Sequence, residues 1–411
     1  MSSDLQVWQS EFKQIAHQHY TQMRDGQPIQ RVGWPTGGAA WLITRYDDAL
    51  AVLKDERFTK DWRRVAPPEK VERAKAMPES MRMMVDHMLT TDPPEHTRLR
   101  SLVQKAFTPQ FVERLRGDVQ QIADDLVDQI AAQAGGTVDL IDAYAFPLPI
   151  RTLGHMLNIP RENWPMLREN VDTILGSLFR GDLPPDAQRR RMQAIEQVLS
   201  FLRFDFAARR ASDSQDLLSA MARAEENGKG FTEYEVLSTG LLLLMGGYET
   251  TASLIGNGMM ALLAHPDQLE LLKARPELVK TAVEELLRFE SPIEFTTIRF
   301  ALEDMRLGDV EVARGEQVIV VLASANRDER QFPGTATELD ITRPKNRHLA
   351  FGHGPHYCLG APLARLEGEI AFSTLLRRLP NLRLAAPPET LVWRPSNFIR
   401  GLETLPVQVE A

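Results

Sequence analysis

Phe351-Gly352-His353-Gly354-Pro355-His356-Tyr357-Cys358-Leu359-Gly360 packs three glycines and a proline into ten residues. That density of punctuating residues forces an irregular loop. Ala361-Pro362-Leu363-Ala364-Arg365-Leu366-Glu367 then begins an apolar helix, so Cys358 stands at a helix N-terminus. Free N–H groups and the helix dipole favour an anion there and should lower the thiol pKa. Spacing alone leaves three uses of this cysteine open. A nucleophile needs a positioned base, and His353 and His356 are close in sequence without being obliged to point inward together. A thiolate can ligate a metal, including haem iron. The thiol can also be structural.

Cys358 is the sole cysteine in 411 residues, which excludes an internal disulfide and a multi-cysteine zinc site. Hydrophobic residues make up 43% and charged residues 25%, which excludes disordered, collagen-like and disulfide-rich chains. A net charge of -8 disfavours nucleic acid as a partner, because that binding rests on Lys and Arg neutralising phosphates. The first 20 residues lack an apolar signal core. No apolar run reaches the roughly 18 residues that a membrane span requires. The expectation is a cytoplasmic protein with no membrane partner.

Helical periodicity dominates the chain. It predicts helices over 9–24, 47–54, 94–107, 109–133, 141–157, 161–179, 187–211, 214–225, 232–264, 266–273, 276–290 and 360–378. β-like runs are few: 40–44, 300–302, 318–321 and near 391–392. Repeats and linkers are absent, so residues 1–411 read as a single, mainly α domain with a small β region. Residues 60–90, Met-rich in their second half, and 178–188 read as insertions that could act as lids or be plain surface loops.

Within the 232–264 helix lies a fault. Thr232-Glu233-Tyr234-Glu235 is a capping box that opens the helix, and Pro266 stops it. Leu241 to Leu244 make its middle apolar, so it should cross the core. Gly246-Gly247-Tyr248-Glu249-Thr250-Thr251 follows. Glycine and threonine are poor helix formers, and a buried Glu249 is costly unless it is paired or serves chemistry. A local rule broken in mid-core marks a functional position. The glycines let a flat ligand approach the backbone. The threonine hydroxyl can bond the carbonyl one turn earlier, or hold a small polar ligand. Gly256-Asn257-Gly258 just downstream matches a dinucleotide fingerprint, but it lies inside a helix already running and is rejected.

Three further pieces join these two. Glu285-Leu286-Leu287-Arg288 sets a carboxylate and a guanidinium on one helix face; taken alone this would be an exposed pair of little weight. His96 and Arg100 stand four apart at the start of another helix, and Arg299 follows the Glu-x-x-Arg helix. Together the set resembles the cytochrome P-450 superfamily over essentially the whole chain, most of all the soluble bacterial members that tailor macrolides and related natural products. The F-x-x-G-x-x-x-C-x-G signature is the most specific element.

The resemblance implies the cytochrome P-450 fold, a triangular helical prism around buried haem b. It implies Cys358 as the axial thiolate on iron, and His96, Arg100, Arg299 and His356 at the haem propionates. Phe351 would pack near the sulfur. Glu249 and Thr250 match the acid–alcohol pair that delivers protons during dioxygen activation. Glu285 and Arg288 match the pair that helps hold the cysteine loop. Gly246 stands where alanine is common and Tyr248 where histidine is frequent, and the latter bears on proton delivery. The implied activity is insertion of one oxygen atom into a lipophilic small molecule by a monomer. Its electrons would come from a separate ferredoxin and ferredoxin reductase, with no bound flavin or iron–sulfur cluster. Arg114, Arg116, Lys105 and Arg365 would form a basic docking patch for the ferredoxin. Leu89, Leu243, Gly247, Ile293, Phe295 and Phe398 would line the substrate pocket. Glu294 is the one charged residue nearby, with solvent exposure as its plain reading. The alternatives are a peroxide-driven haem-thiolate enzyme, a haem-binding sensor without turnover, and a cysteine-nucleophile hydrolase.

Overall fold

The computed structural model describes residues 6–35, 38–178, 183–203, 206–226 and 228–410. The elements that position the site are α1 (Ser10–Asp25), α2 (Glu95–Ala106), α3 (Arg116–Ala131), α4 (Pro147–Met156), α5 (Trp164–Leu178), α6 (Pro185–Leu202), α7 (Glu233–Ala264), α8 (Val279–Phe289) and α9 (Ala361–Arg378). Helix α7 runs through the main apolar cluster, packing on α4, α6, α8 and α9. Its start is the expected capping box: Glu235 N donates to Thr232 Oγ1 at 3.2 Å, and Thr232 N donates to Glu235 Oε2 at 2.8 Å. Gly258 inside α7 is a packing glycine, since a Cβ there would stand 2.6 Å from Phe372.

The largest sheet has five strands, β1 (Ile29–Gly33), β2 (Ala39–Ile43), β3 (Phe58–Thr59), β4 (Arg299–Ala301) and β5 (Gln317–Val320), in the order β1-β2-β5-β4-β3; a three-stranded sheet of Arg383–Leu384, Pro406–Gln408 and Thr137–Asp139 and two hairpins lie apart from it. Only the β2–β5 pair is parallel. Side chains alternate across a strand, and on β5 this sends Val318 and Val320 into one apolar cluster and Ile319 into another, so both faces are covered.

Several expectations shift. The 109–133 helix divides at Leu115 into Pro109–Arg114 and α3. A π-turn at Ile141–Ala145 precedes α4, where Pro147 removes a backbone donor. The 60–90 insertion carries short helices at Pro68–Lys75 and Glu79–Met83, each preceded by a proline that presets the first turn. Met83, Met84 and Met88 are buried in the main cluster, so this segment is packed rather than loose. No strand forms at 391–392; Trp393 makes an isolated bridge to Leu402 instead. Of the 178–188 insertion, residues 179–182 lie outside the described residues.

Candidate functional site

The cysteine loop is held by its own backbone. Cys358 N donates to Phe351 O at 2.9 Å, Gly352 N to Leu349 O at 2.8 Å and Tyr357 N to Gly354 O at 3.0 Å. Gly354 has φ +76°, and a Cβ there would meet Leu53 O at 2.7 Å, so the turn admits only glycine. Arg365 on α9 stacks on the Phe351 ring at 4.6 Å, and its guanidinium forks onto Glu284. Cys358 has an open surface although protein surrounds it on nearly every side, so its sulfur lines an internal space. Burial pushes the thiol pKa up, opposed by the N–H groups of Gly360 and Ala361 and by the Arg100 charge. The helix N-terminus therefore does not lower it on balance, because desolvation outweighs the dipole. Among the described residues no imidazole hydrogen-bonds Sγ; the His356 ring instead faces His96, with centroids 4.2 Å apart. The geometry offers no base for a nucleophilic thiol.

Beneath the loop, Glu285 and Arg288 on α8 are fully buried, not the exposed pair that spacing alone allows. Arg288 forks onto Glu285 at 2.7 and 2.8 Å and donates to the carbonyls of Asn326, Ala336 and Glu338. Glu285 also accepts from Arg343, Asn346 and the Asp340 N–H. Asn326 Oδ1 in turn accepts from Leu349 N, at the start of the cysteine loop.

A cluster of cationic and imidazole groups gathers near the loop. His96 and Arg299 are buried, and Arg100 Nη1 donates to Tyr357 O at 2.6 Å. Arg299 Nη1 is buried without a hydrogen-bond partner. Burial depresses Arg299 to about 10. Burial and the charges of Lys60, His96 and Arg299 hold His356 well below the ordinary imidazole range. Lys60, unnoticed in the sequence, is also buried, and its ammonium donates to the Thr297 and Ile298 carbonyls just before Arg299. Among the described residues Asp92 is the carboxylate that acts on Lys60, His96 and His356.

On α7 the fault lies open. Gly246 is exposed in the middle of a core helix, and a Cβ there would meet nothing within 4 Å. Thr250 Oγ1 donates to Gly246 O at 2.7 Å, the back-bond expected from its spacing. Glu249 is paired, with Oε1 accepting from Arg394 Nη1 at 3.2 Å. Its pKa is raised by burial, with Arg394 opposing. Arg394 lies 145 residues along the chain, where no helical period could connect it to Glu249.

Of the pocket residues, Leu89, Leu243, Gly247, Ile293 and Phe398 are half-buried. Phe295 does not line the space. It is fully buried in the N-terminal cluster, edge-on to Trp34 at 5.5 Å and Tyr20 at 6.4 Å. Glu294 does not face solvent either; it is buried and paired with Lys13 and the Tyr20 hydroxyl. The basic patch is largely neutralised within the chain. Arg116 pairs with Glu113, Arg365 with Glu284 and Lys105 with Glu226, while Arg114 stacks on Phe111.

The family model described as Cytochrome P450 matches residues 150–398. The chain belongs to the cytochrome P450 family. It is 43% identical to cytochrome P450 107B1 of Saccharopolyspora erythraea, covering 98% of both chains. It is 41% identical to the cytochrome P450 monooxygenase PikC of Streptomyces venezuelae, covering 98% of this chain and 94% of that one. The solved structure of the polyketide-synthase cytochrome P450 PksS of Bacillus subtilis superposes with TM-score 0.88 at 38% identity, over 98% of this chain and 99% of that one. The protein is a cytochrome P450 monooxygenase of mainly α fold.

Membership implies haem, and the residues present fit it. An open sulfur in the protein interior suits an iron ligand. An orphaned Arg299 nitrogen among depressed cationic groups suits two propionates, which would restore the missing negative charge. The bare face at Gly246 leaves room for a flat ring system. Among the described residues no cluster of three or more His, Cys, Asp or Glu forms another metal centre, and no helix is long and apolar enough to cross a membrane.

Proposed function

We propose that this P450, acting as one domain, inserts one atom of dioxygen into a C–H bond, or across a C=C bond, of a lipophilic small molecule and reduces the other atom to water. A separate ferredoxin and its reductase would supply the electrons. The observation that carries this reading is the opened fault on α7, where an acid and an alcohol adjoin a bare helix face. The natural-product-tailoring relatives support a macrolide-like or similarly apolar substrate, as does the apolar character of Leu89, Leu243 and Phe398.

In this reading Cys358 ligates the haem iron, and His96, Arg100, Arg299 and His356 hold the propionates. Bound haem supplies the reductive activation of dioxygen. The chain's own part is orientation and proton supply. Thr250 turns its hydroxyl between the Gly246 carbonyl and the open space, and Glu249 holds the next exchangeable proton. Glu285 and Arg288 fix the segment that leads into the cysteine loop. A peroxide-driven enzyme would not need the acid–alcohol pair, so its presence supports the dioxygen route.

Thr250→Ala tests this. Reduced by a plant-type ferredoxin system, the variant is expected to consume NADPH at a rate near the parent's while releasing several-fold more hydrogen peroxide. Unchanged peroxide release would contradict the role given to Thr250.

A further inference from the structure

Two irregular runs, 292–298 and 393–401, lie side by side against α7. Ile293 bridges Ile399, Glu294 N donates to Phe398 O at 2.9 Å, and Arg400 N donates to Pro292 O at 2.8 Å. The second run meets the fault at Arg394, which bonds Glu249. The Glu249 side chain keeps 19% exposure although protein surrounds it, so its carboxylate opens on an internal space, as the Cys358 sulfur does. The contact with α7 continues one and two turns further on. A Cβ on Gly401 would stand 2.5 Å from Ser253 Oγ, and Asn257 Nδ2 donates to Arg400 O at 2.8 Å. The first run ends at Arg299, and its Thr297 and Ile298 carbonyls accept from Lys60 in the cationic cluster. The paired runs therefore span from the fault to the groups assigned to the propionates, and they carry the half-buried Ile293 and Phe398.

Helix α1 holds both runs through one ammonium. Lys13 is fully buried, and its Nζ donates to the fully buried Glu294 carboxylate on one run and to Ile399 O at 2.7 Å on the other. Tyr20 adds its hydroxyl to Glu294 at 2.8 Å. Arg400 Nη1 returns a bond to Lys13 O at 2.7 Å, while its Nε donates to Glu290 at 2.9 Å. Nearby, Ser10 Oγ donates to Trp393 O at 2.6 Å and Ser396 N to Trp8 O at 2.9 Å. A buried ion pair is a poor device for stability, because apolar residues of the same volume often serve as well or better. It differs from them in direction. Hydrogen bonds to an ammonium constrain distance and angle, whereas apolar contact is non-directional. The pair thus fixes the separation of two backbones that otherwise meet at an isolated bridge.

We propose that Lys13 and Glu294 are positioning residues that set the shape of the substrate space, by fixing the two runs that carry Ile293 and Phe398. Neither side chain reaches that space, since both are fully buried. The inference rests on the monooxygenase reading above, in which the space takes a lipophilic molecule. Its consequence is selective. A ligand large enough to press on the runs loses affinity when the pair is removed. A ligand that fills only the surroundings of the iron does not.

The test titrates the haem-loaded protein with imidazole and with the bulky azole clotrimazole, reading the Soret shift as each azole nitrogen takes the iron. Lys13→Met leaves Glu294 buried without its cation. Lys13→Met/Glu294→Gln removes both charges and keeps an acceptor for Tyr20, so it serves if the single variant fails to fold. Both are expected to raise the clotrimazole dissociation constant several-fold and to leave that of imidazole unchanged. Val127→Ala, a truncation in the core face of α3, controls for general loosening and should keep the parental ratio of the two constants. If the folded Lys13 variants keep that ratio, or if Val127→Ala moves it as far as they do, the positioning role is wrong and the monooxygenase reading stands. A parent that takes imidazole but not clotrimazole would show a space too small for the runs to shape, and would likewise overturn the inference alone. A parent that binds no haem, or shows no shift with imidazole, would overturn both.

Discussion

The cysteine loop and the fault on α7 are two irregular segments built by opposite rules. In the Glu285–Arg288 network beneath the loop the charged groups are densely bonded. Glu285 accepts from two arginines, an asparagine and a backbone N–H, and Arg288 spends its donors on that carboxylate and three carbonyls. At the fault, Gly246 faces open space, the Tyr248 hydroxyl has no partner, and Glu249 has a single cation at 3.2 Å. Saturated hydrogen bonding fixes a ligand atom in place. Unsaturated bonding leaves groups that can take a new partner. In the proposed reading the saturated side holds the cofactor and the open side supplies protons.

The sharpest way to break this comparison is Arg288→Ala. It leaves Glu285 buried without its forked partner, and breaking a buried pair in this way costs about 3–5 kcal/mol. Urea denaturation should show that loss; a variant as stable as the parent would mean that the network does not anchor the loop.

A smaller effect is expected where the two regions meet. Glu367 on α9 is buried beside the Thr152 and Thr251 hydroxyls, one oxygen lacking a partner, and burial raises its pKa from 4.5 to about 8. Between those two values the native chain keeps a proton that the unfolded chain releases. Stability from this group therefore falls as pH rises across that window. Urea midpoints measured near the two ends should show the decline in the parent, and Glu367→Gln should flatten it. An equal slope in both proteins would count against a protonated Glu367.

Thr250→Ala should have the least effect on stability, within about 0.5 kcal/mol of the parent, since alanine is the better helix former. Its effect should appear in peroxide release instead. A large loss of stability would place the fault among the anchoring elements and blur the contrast.

Much of this division was legible in the sequence because its signals are local. The capping box at Thr232, the glycine-rich turn before Cys358 and the three-residue spacing of Glu285 and Arg288 each lie within one turn or loop. What escaped depends on distant partners. Glu294 reads as a surface charge until Lys13, 281 residues away, is seen against it. Phe295 follows Glu294 on a short extended run, where neither its period nor its composition says which cluster claims it. Arg394 and Lys60 come from two separate parts of the chain and meet the site only through tertiary packing. The basic residues read as a patch also have partners the sequence does not display: carboxylates beside Arg116, Arg365 and Lys105, and a phenyl ring beside Arg114.

The most direct test of the central claim is the visible spectrum of the purified protein, reduced and exposed to carbon monoxide. The account predicts the red-shifted Soret band of thiolate-ligated haem, lost in Cys358→Ala. A band at the position of histidine-ligated haem, or a protein without haem, would contradict it.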